Sequence, residues 1–322
     1  MQIIKSSKEE NEVLQRLDKR ISKACCLTDC EKEFINSMVL RKKPKKILEV
    51  GVAAGGSSGL ILNSILEMKN DAQLYSVDFL TPYCNDSTKL TGYATLDYAT
   101  EEMKKNWHLL TGKFASEFMD EIGGDIDFAF IDTVHWNPGE IIDFLMVLPY
   151  LKKGATVLFH DINLHSVTSS IEMVTNCLLM SAVRGEKLLP SRSLRTFINI
   201  GGVILDENIN DYLWEVFNCL NMPWSYLPSP EQNYIITNAL CKHYDEYLCN
   251  IYRKKYNYYK ENDIFSNYSE SSKRYSEKSY VISADDLKLY QSGKGKRLLP
   301  IRPVDTVNKI KRVADIYKII NR

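Results

Sequence analysis

The sequence predicts an α/β protein with a mostly parallel sheet and helices on both faces. Between residues 46 and 163, short apolar runs alternate with stretches whose apolar residues recur at helical spacing. Such alternation is typical of parallel strands joined by helical crossovers. We expect strands near residues 46–50, 73–77, 126–131 and 155–160, and a further strand within 195–204.

The first strand leads into a glycine-rich turn. The stretch 46–58 reads KILEVGVAAGGSS, in which an apolar run ends beside an acid and a helical pattern follows the turn. Glycines allow a left-handed backbone and leave room for a ligand to approach. The helix start offers free backbone N–H groups. A polar ligand is therefore expected at this turn.

The second predicted strand also ends in an acid, Asp78. In open α/β folds an acid at this strand end accepts hydrogen bonds from the ribose hydroxyls of an adenosine ligand. The alternative interpretation of Asp78 is a helix or turn cap.

The spacing E-x-G-x-x-x-G-G from Glu49 differs from the dinucleotide pattern, because Ala53 stands where that pattern has its second glycine. It resembles motif I of the class I S-adenosylmethionine-dependent methyltransferases. The resemblance implies a Rossmann-like methyltransferase fold with seven strands and S-adenosyl-L-methionine as cofactor. It places Glu49 near the methionine moiety and Asp78 on the ribose. The turn positions that it brings to the cofactor are Gly51, Ala53, Gly55, Gly56 and Ser57.

Polar residues follow two later strands of the predicted sheet. Three of the five histidines and two aspartates stand there, namely Asp132, His135, His160, Asp161 and His165. Open α/β folds bind ligands at the carboxyl ends of their strands. We therefore expect the chemistry at this edge.

The run F-I-D-x-x-H, followed by an H-D pair, resembles the methyltransferase family 24 group over roughly residues 25–205. That group includes sugar O-methyltransferases of natural-product and glycan pathways. The resemblance implies O-methylation of a sugar, glycan or natural-product hydroxyl on a small-molecule or glycan substrate. It places Gly112 and Lys113 near the adenine, and Asp132 at both the cofactor and the reaction. It also implies that His135 is the general base, although a structural histidine bonded to a loop carbonyl is the alternative.

A divalent metal, magnesium or manganese, is implied by the metal-dependent relatives, whose ligands match Asp132, His160 and Asp161. This sequence departs from their pattern at two points. Thr133 and Val134 replace a G-D pair, and His160 replaces an acid. Imidazole with carboxylate suits manganese, iron or zinc better than magnesium. The alternative is that these three residues orient the substrate and cap helices.

An RNA methyltransferase is a third alternative, against which the lack of a basic, aromatic-interleaved surface in the catalytic region argues. Two further functions remain open at this level. One is a nicotinamide-dependent (NAD) oxidoreductase, against which the spacing of the glycine-rich turn argues. The other is a non-catalytic scaffold, against which the intact Glu49, Asp78 and Asp132 argue.

The composition indicates which partners and which cellular compartment to expect. Lysine plus arginine equals aspartate plus glutamate at 41 each, so no nucleic-acid partner is expected. No apolar stretch approaches the roughly 20 residues of a transmembrane segment. The eight cysteines lack C-x-x-C spacing, which favours a cytoplasmic protein.

The pattern divides the chain into five segments. The segment 79–107 is longer than an ordinary connection and is typical of a lid or a substrate contact. For the last segment, a basic amphipathic helix, we weigh peripheral membrane contact against docking on its own domain or on a second copy in a homo-oligomer. The segments are N-terminal helices (1–45), a cofactor-binding methyltransferase domain (46–208), an aromatic-rich helical accessory region (209–262), an extended connector (263–296) and the basic helix (297–322).

Overall fold

A central sheet organises the computed structural model, which describes residues 1–168, 170–191 and 198–262. Ten strands lie in these residues, eight of them in the central sheet and two in a separate hairpin. They are β1 (Gln2–Ile4), β2 (Lys46–Val50), β3 (Gln73–Asp78), β4 (Pro82–Tyr83), β5 (Asp86–Leu90), β6 (Trp107–Thr111), β7 (Ile126–Ile131), β8 (Leu151–His160), β9 (Gly185–Pro190) and β10 (Ile200–Leu205).

The central sheet has the order β1-β9-β10-β8-β7-β2-β3-β6. Strand β10 runs antiparallel to both of its neighbours, and every other neighbouring pair is parallel. The predicted mostly parallel sheet is therefore confirmed. The expected count of seven was one strand short, because β1 adds an eighth at the β9 edge, in a segment for which only helices were predicted.

Helices cover both faces of this sheet. They are α1 (Lys8–Gln15), α2 (Lys19–Ala24), α3 (Asp29–Lys42), α4 (Gly56–Met68), α5 (Tyr93–Tyr98), α6 (Glu101–Lys104), α7 (Ala115–Ile122), α8 (Gly139–Val147), α9 (Leu164–Thr168), α10 (Thr175–Ala182), α11 (Leu213–Asn218), α12 (Pro230–His243) and α13 (Glu246–Glu261). Short 3₁₀ turns lie at Leu148–Tyr150, Ile171–Met173, Ile209–Tyr212 and Cys219–Asn221.

The apolar strands are buried on both sides. In β2, Ile47 packs with the helices α2 to α4, whereas Leu48 and Val50 pack with α7, α8 and the carboxyl-terminal helices. Successive side chains of a strand point to opposite faces, so a continuous apolar run is what a sheet covered on both faces requires. The predicted helices on both faces are confirmed.

The N-terminal helices reach the edge of the sheet where the strands β2, β7 and β8 end. Helix α3 begins with a capping box, in which the Thr28 hydroxyl accepts from the Glu31 N–H and the Glu31 carboxylate accepts from the Thr28 N–H. Just before it, the backbone of Cys25 touches Gly56, where an added Cβ would lie 2.2 Å from the Cys25 nitrogen. The chain therefore crosses directly over the start of α4.

The carboxyl-terminal part contributes helices α11 to α13, which lie within the predicted accessory region. Trp224, in the link between α11 and α12, is buried and stacks on Tyr252 and Tyr259 of α13 as part of the core. No helix among the described residues is both long and apolar enough to cross a bilayer. The predicted connector 263–296 and basic helix 297–322 lie outside the described residues, and the division into segments stays a prediction.

Candidate active site

The glycine-rich turn joins β2 to α4 and lies against the end of β7. Gly51 has a φ of +95°, and a Cβ at this position would lie 1.8 Å from the Asp132 carbonyl oxygen. The Asp132 N–H in turn donates to the Val50 carbonyl at 2.9 Å. Glycine is therefore required here, because any side chain would push the ends of the two strands apart.

Asp78, at the end of β3, shapes the turn. Its Oδ2 accepts from the N–H groups of Val52 at 2.9 Å and Ala53 at 3.0 Å, and its Oδ1 accepts from Leu80 at 2.8 Å. A carboxylate offers about four lone-pair positions. Asp78 thus has acceptor capacity left for the cleft that it lines. Asp78 can therefore serve both as a cap of the turn and as a ligand contact, which the sequence offered as alternatives.

Glu49 lies beneath the turn and is fully buried. Its carboxylate accepts from the hydroxyls of Ser57 at 2.5 Å, Ser58 at 2.6 Å and Ser76 at 2.5 Å. Burial raises the pKa of Glu49 to about 7, although the three serine hydroxyls oppose this rise. Glu49 therefore fixes the start of α4 to the sheet from below.

A cleft opens in front of the turn. Of the predicted cofactor residues, Gly51, Ala53, Asp78, Lys113 and Asp132 line it, whereas Glu49, Gly55, Gly56, Ser57 and Gly112 are not among the lining residues. The cleft is also lined by residues that the sequence analysis did not single out, including Phe79, Cys84, Thr91, Phe114, Thr133 and Asp143.

The long segment 79–107 forms one wall of this cleft. It contains the hairpin β4–β5 and the helices α5 and α6, and it contributes Phe79, Cys84 and Thr91 to the lining. The Phe79 ring lies with its centroid 4.8 Å from that of Phe114, so the wall is partly aromatic. Its placement is compatible with the predicted lid or ligand contact.

Asp143 adds a second carboxylate on the Asp132 side of the cleft. Its Oδ2 accepts from the Thr133 hydroxyl at 2.6 Å. Burial raises the pKa of Asp143 to about 7. The residue lies within helix α8, where a lone acid in an apolar pattern gave no signal of a site.

Beside the cleft lies a set of five residues that we call the His–carboxylate cluster: Asp132, His135, Glu140, His160 and Asp161. The His160 Nδ1 lies 3.1 Å from the Asp132 Oδ1 and 3.3 Å from the Asp161 Oδ2. The His135 Nε2 lies 3.1 Å from the same Asp161 oxygen, and its Nδ1 lies 3.2 Å from the Glu140 Oε1. The predicted convergence of these strand-end residues is thus observed, and Glu140 is the member that sequence reasoning missed.

The cluster keeps its histidines charged. Burial disfavours the charged form of His135, but the carboxylates of Asp161 and Glu140 outweigh it and raise the pKa of His135 to about 10. The pKa of His160 is also raised well above its usual value, against burial, by Asp132 and Asp161. Burial tends to raise the pKa of Asp161, yet the two histidines hold it below its usual range. The carboxylates of the cluster therefore favour the charged form of both imidazoles.

Asp161 is held in place by its backbone and by an amide. Its φ is +55°, a left-handed conformation that is uncommon outside glycine. The Asn199 side-chain amide donates to the Asp161 Oδ1. Strained residues of this kind are concentrated at functional sites. His165, three residues after Ile162, contributes no ligand atom to the candidate metal groups of the described residues.

The residues Asp132, His160 and Asp161 fit a divalent cation. Their candidate ligand atoms all lie within 4.8 Å of one another. Neighbouring ligands of an octahedral ion with bonds of about 2.1 Å lie about 3 Å apart, close to the separations around the His160 Nδ1. One imidazole with two carboxylates is a donor set that favours manganese, iron or zinc over magnesium. The same group with His135 and Glu140 in place of His160 and Asp161 also meets the distance condition.

Comparison with known proteins finds one family model that matches the central part of the chain. Residues 48–162 match a family model that describes a methyltransferase domain. No curated protein sequence matches the chain.

Solved structures with similar folds include three methyltransferases. The O-methyltransferase TomG from Streptomyces achromogenes, in complex with SAM, is 13% identical, with 62% of this chain aligned to 96% of that chain and a TM-score of 0.44. An O-methyltransferase from Bacillus cereus, in complex with SAH, is 15% identical over 62% of this chain and 91% of that chain, with a TM-score of 0.42. The SAH-bound methyltransferase PaMTH1 from Podospora anserina is 14% identical over 62% and 86%, with a TM-score of 0.42.

The matched segment begins in β2, just before the glycine-rich turn, and ends just after Asp161. It therefore contains both the cleft-lining turn and the strand-end members of the His–carboxylate cluster. The part of the chain that matches a methyltransferase domain is thus the part that carries the candidate site.

Proposed function

We propose that this protein transfers a methyl group from S-adenosylmethionine to a hydroxyl oxygen of a small molecule. The acceptor that we propose is a sugar, a glycan intermediate or a natural product. One observation carries the proposal: Asp132 lines the cleft and also accepts from His160 in the His–carboxylate cluster. A cofactor held in the cleft thus lies next to groups that can orient a hydroxyl and move its proton.

The cleft offers what an adenosine-bearing cofactor needs. The turn presents backbone rather than side chains at Gly51, Asp78 retains acceptor capacity for ribose hydroxyls, and Phe79 and Phe114 supply apolar surface for a base. Lys113 also lines the cleft, and Gly112 precedes it. When bound, S-adenosylmethionine supplies an electrophilic methyl group on a sulfonium. Much of the rate acceleration then comes from holding that methyl in line with the acceptor oxygen.

Glu49, Gly55, Gly56 and Ser57 act on the cofactor through the turn. Glu49 holds Ser57 at the start of α4, and the backbone of Cys25 covers Gly56. Their effect in this proposal is to fix the turn that Gly51 and Ala53 present to the cleft. Direct contact of these four residues with the methionine moiety stays a prediction.

His135 is the proposed general base, and the carboxylates around it predict how turnover depends on pH. Both ring nitrogens face carboxylates and the pKa is about 10, so the resting side chain already carries the proton that a base would take. His135 accepts the hydroxyl proton only in the fraction of molecules in which it has given up its own. Turnover is therefore expected to rise with pH toward 10.

A divalent cation, manganese in preference to magnesium, is a finer part of the proposal. Asp132, His160 and Asp161 would hold it, and it would lower the pKa of the acceptor hydroxyl. Cation binding requires the His160 Nδ1 to be free of its proton, so uptake of the ion would release protons to solvent.

We also propose a cytoplasmic location. All eight cysteines lie among the described residues and all are free thiols, as a reducing compartment favours. A homo-oligomer and contact of segment 297–322 with a membrane surface stay predictions.

The test begins with ligand binding by the full-length protein. Isothermal titration calorimetry with S-adenosylhomocysteine is expected to give binding heat, whereas NAD gives none. Binding of NAD alone would favour the oxidoreductase, and binding of neither would favour a scaffold without a cofactor.

Methyl transfer is then measured with S-adenosylmethionine labelled in its methyl group. The acceptors are a panel of monosaccharides, nucleotide sugars and phenolic or polyketide hydroxyls, together with amines and thiols, each with added manganese, magnesium or EDTA. Label in an ether linkage supports the proposal. Label confined to nitrogen or sulfur acceptors would contradict O-methylation while leaving the family assignment intact.

A further inference from the structure

His160 has two ring nitrogens in different surroundings. Its Nδ1 faces Asp132 and Asp161, at 3.1 and 3.3 Å. Its Nε2 is buried and makes no hydrogen bond within the described residues. The Glu31 Oε1 lies 3.6 Å from this nitrogen, slightly beyond hydrogen-bond distance. Few buried nitrogens lack a partner, so this one calls for an explanation.

Glu31 comes from outside the matched methyltransferase domain, on the first turn of α3. It is a buried acid, with only 3% of its surface exposed. Its Oε2 accepts from the Thr28 N–H at 2.6 Å in the capping box, which leaves Oε1 directed at His160. The cap therefore does more than begin a helix, because it brings a carboxylate to the edge of the sheet.

The orientation of a metal-binding histidine is set from its far side. A neutral imidazole has one N–H, and the nitrogen that keeps this proton is the one that meets an acceptor. Metal-binding histidines usually donate their second nitrogen to a carboxylate, a carbonyl or a water for this reason. A cation on the Nδ1 of His160, the nitrogen on the Asp132 side, leaves only Nε2 to carry the N–H, and Glu31 is the carboxylate that faces Nε2.

We propose that Glu31 is a positioning residue for a cation site, in that it accepts the Nε2–H of His160 and so turns a free Nδ1 toward a divalent cation shared with Asp132 and Asp161. This inference rests on the cation site of the proposed function. The acid that the resembled pattern has at position 160 is replaced by an imidazole, and Glu31 supplies the carboxylate one step farther from the ion. The N-terminal helices thereby become part of the site.

The decisive variant is Glu31→Gln. Glutamine also serves in a capping box, so the start of α3 is kept while the charge facing His160 is lost. The matched control is Thr28→Ala, which removes the capping hydroxyl but leaves the Glu31 carboxylate. Circular dichroism melts of both variants show whether either change affects folding.

Manganese affinity is measured on the full-length protein without substrate, by calorimetry and by the electron paramagnetic resonance of free Mn²⁺. We expect Glu31→Gln to weaken binding about 10- to 100-fold. Thr28→Ala is expected to bind manganese like the wild type while melting at a lower temperature. The reverse pattern, with Thr28→Ala weakening the affinity and Glu31→Gln not, would assign Glu31 to the helix cap alone and overturn the inference.

The tautomer of His160 gives a second readout. Long-range ¹H–¹⁵N spectra of the zinc-loaded protein are expected to show the proton on Nε2 in the wild type and a changed Nε2 resonance in Glu31→Gln. In a His160→Asp background the imidazole N–H that Glu31 would accept is absent. Glu31→Gln should then lower the manganese affinity by less than about threefold. Such non-additivity of the two substitutions would show that Glu31 acts through His160. Equal costs in both backgrounds would contradict the contact.

Failure of this inference is distinguishable from failure of the proposed function. If the wild type binds S-adenosylhomocysteine but no manganese or zinc, the positioning role of Glu31 toward a cation is wrong and the methyltransferase proposal stands. If it binds the metals but not S-adenosylhomocysteine, the cofactor assignment fails, while the Glu31 comparison still decides this inference.

Discussion

The His160 Nδ1 lies 3.1 Å from the Asp132 Oδ1, and this contact joins the cleft in front of the glycine-rich turn to the His–carboxylate cluster. It follows from the sheet, because β7 and β8 are parallel neighbours in which Ile131 pairs with Phe159. The next residue in each chain direction, Asp132 after Ile131 and His160 after Phe159, therefore lies at the same edge. Residues that are far apart in sequence thus become neighbours at the carboxyl ends of parallel strands. Open α/β sheets bind their ligands at this edge for the same reason.

Substitution of Gly51 tests the fit between the turn and β7. In Gly51→Ala the Cβ would meet the Asp132 carbonyl at 1.8 Å with a φ of +95°. We expect a loss of more than about 3 kcal/mol of unfolding free energy, since steric overlap adds to backbone strain of about 1–2 kcal/mol. Gly154→Ala is the matched control, because its φ is +72° but nothing lies within 4 Å. Urea unfolding measures both, and equal losses would show that strain alone matters at Gly51.

Removal of the Asp78 carboxylate tests the turn from its other side. Asp78→Ala leaves the N–H groups of Val52, Ala53 and Leu80 without their acceptor. The variant also lacks the carboxylate that we propose for the ribose hydroxyls. Because hydrogen bonds to charged groups contribute about 1.5–3 kcal/mol, the affinity for S-adenosylhomocysteine should fall roughly 10- to 100-fold in calorimetry. Asp86→Ala, which removes an exposed turn carboxylate of the β4–β5 hairpin, is expected to bind normally. Wild-type affinity in Asp78→Ala would exclude a cofactor role for this residue.

His135 has a predicted effect on rate and a predicted pH profile. His135→Ala and His135→Gln should keep cofactor affinity while kcat falls about 10²- to 10⁴-fold, the usual range for a general base. His108→Ala, an exposed histidine stacked on Tyr75, serves as control. In the wild type, kcat should rise tenfold per pH unit up to about 10, since the carboxylates of Asp161 and Glu140 keep His135 protonated below that pH. A flat profile, or unchanged turnover in the variants, would remove His135 from the mechanism.

The raised pKa of Glu49 predicts that the free energy of unfolding depends on pH. Burial raises its folded-state pKa to about 7 from a usual value of 4.5. Between these values the folded protein holds a proton that the unfolded chain has lost, so the free energy of unfolding falls as pH rises from 4.5 to 7. The contribution is about 3 kcal/mol at 1.36 kcal/mol per pKa unit.

Glu49→Gln removes this titration. Relative to the wild type, the variant should therefore become more stable by about 3 kcal/mol as the pH is raised through that window, as urea unfolding at several pH values would measure. Glu12→Gln, at an exposed position on α1, is the control and should follow the wild type. A constant difference between Glu49→Gln and the wild type would show that Glu49 ionises normally.

The sequence predicted those parts of the fold that depend on local pattern. The strands β2, β7 and β8 contain continuous apolar runs, and β3 combines apolar residues with a terminal acid, so all four were expected from the sequence. Strand β6, which contains His108 and Thr111, and strand β9, which begins Gly-Glu-Lys, lack such runs and were not predicted. Their pairing depends on neighbours that are distant in sequence.

The site was predictable where strand ends supply it and hidden where helices supply it. Asp132, His135, His160 and Asp161 lie at or just after the ends of strands, and the structure brings them together. Glu140, Asp143 and Glu31 lie on helices, where an acid usually faces solvent, so their burial could not be read from the pattern. Glu31 reaches His160 only because α3 packs over the sheet edge, a tertiary contact without a local signal.

The parallel pairing of Gln2–Ile4 with Leu188–Pro190 has a consequence for biosynthesis. The ribosome makes the first of these strands long before its partner, so the nascent β1 must wait for almost the whole domain to be translated. Contacts so remote in sequence form late, because closing a long loop costs entropy before any pairing compensates for it. The pairing of β1 with β9 should accordingly form last in refolding. A fluorescent label beside Ile3 would report this pairing as the slowest phase.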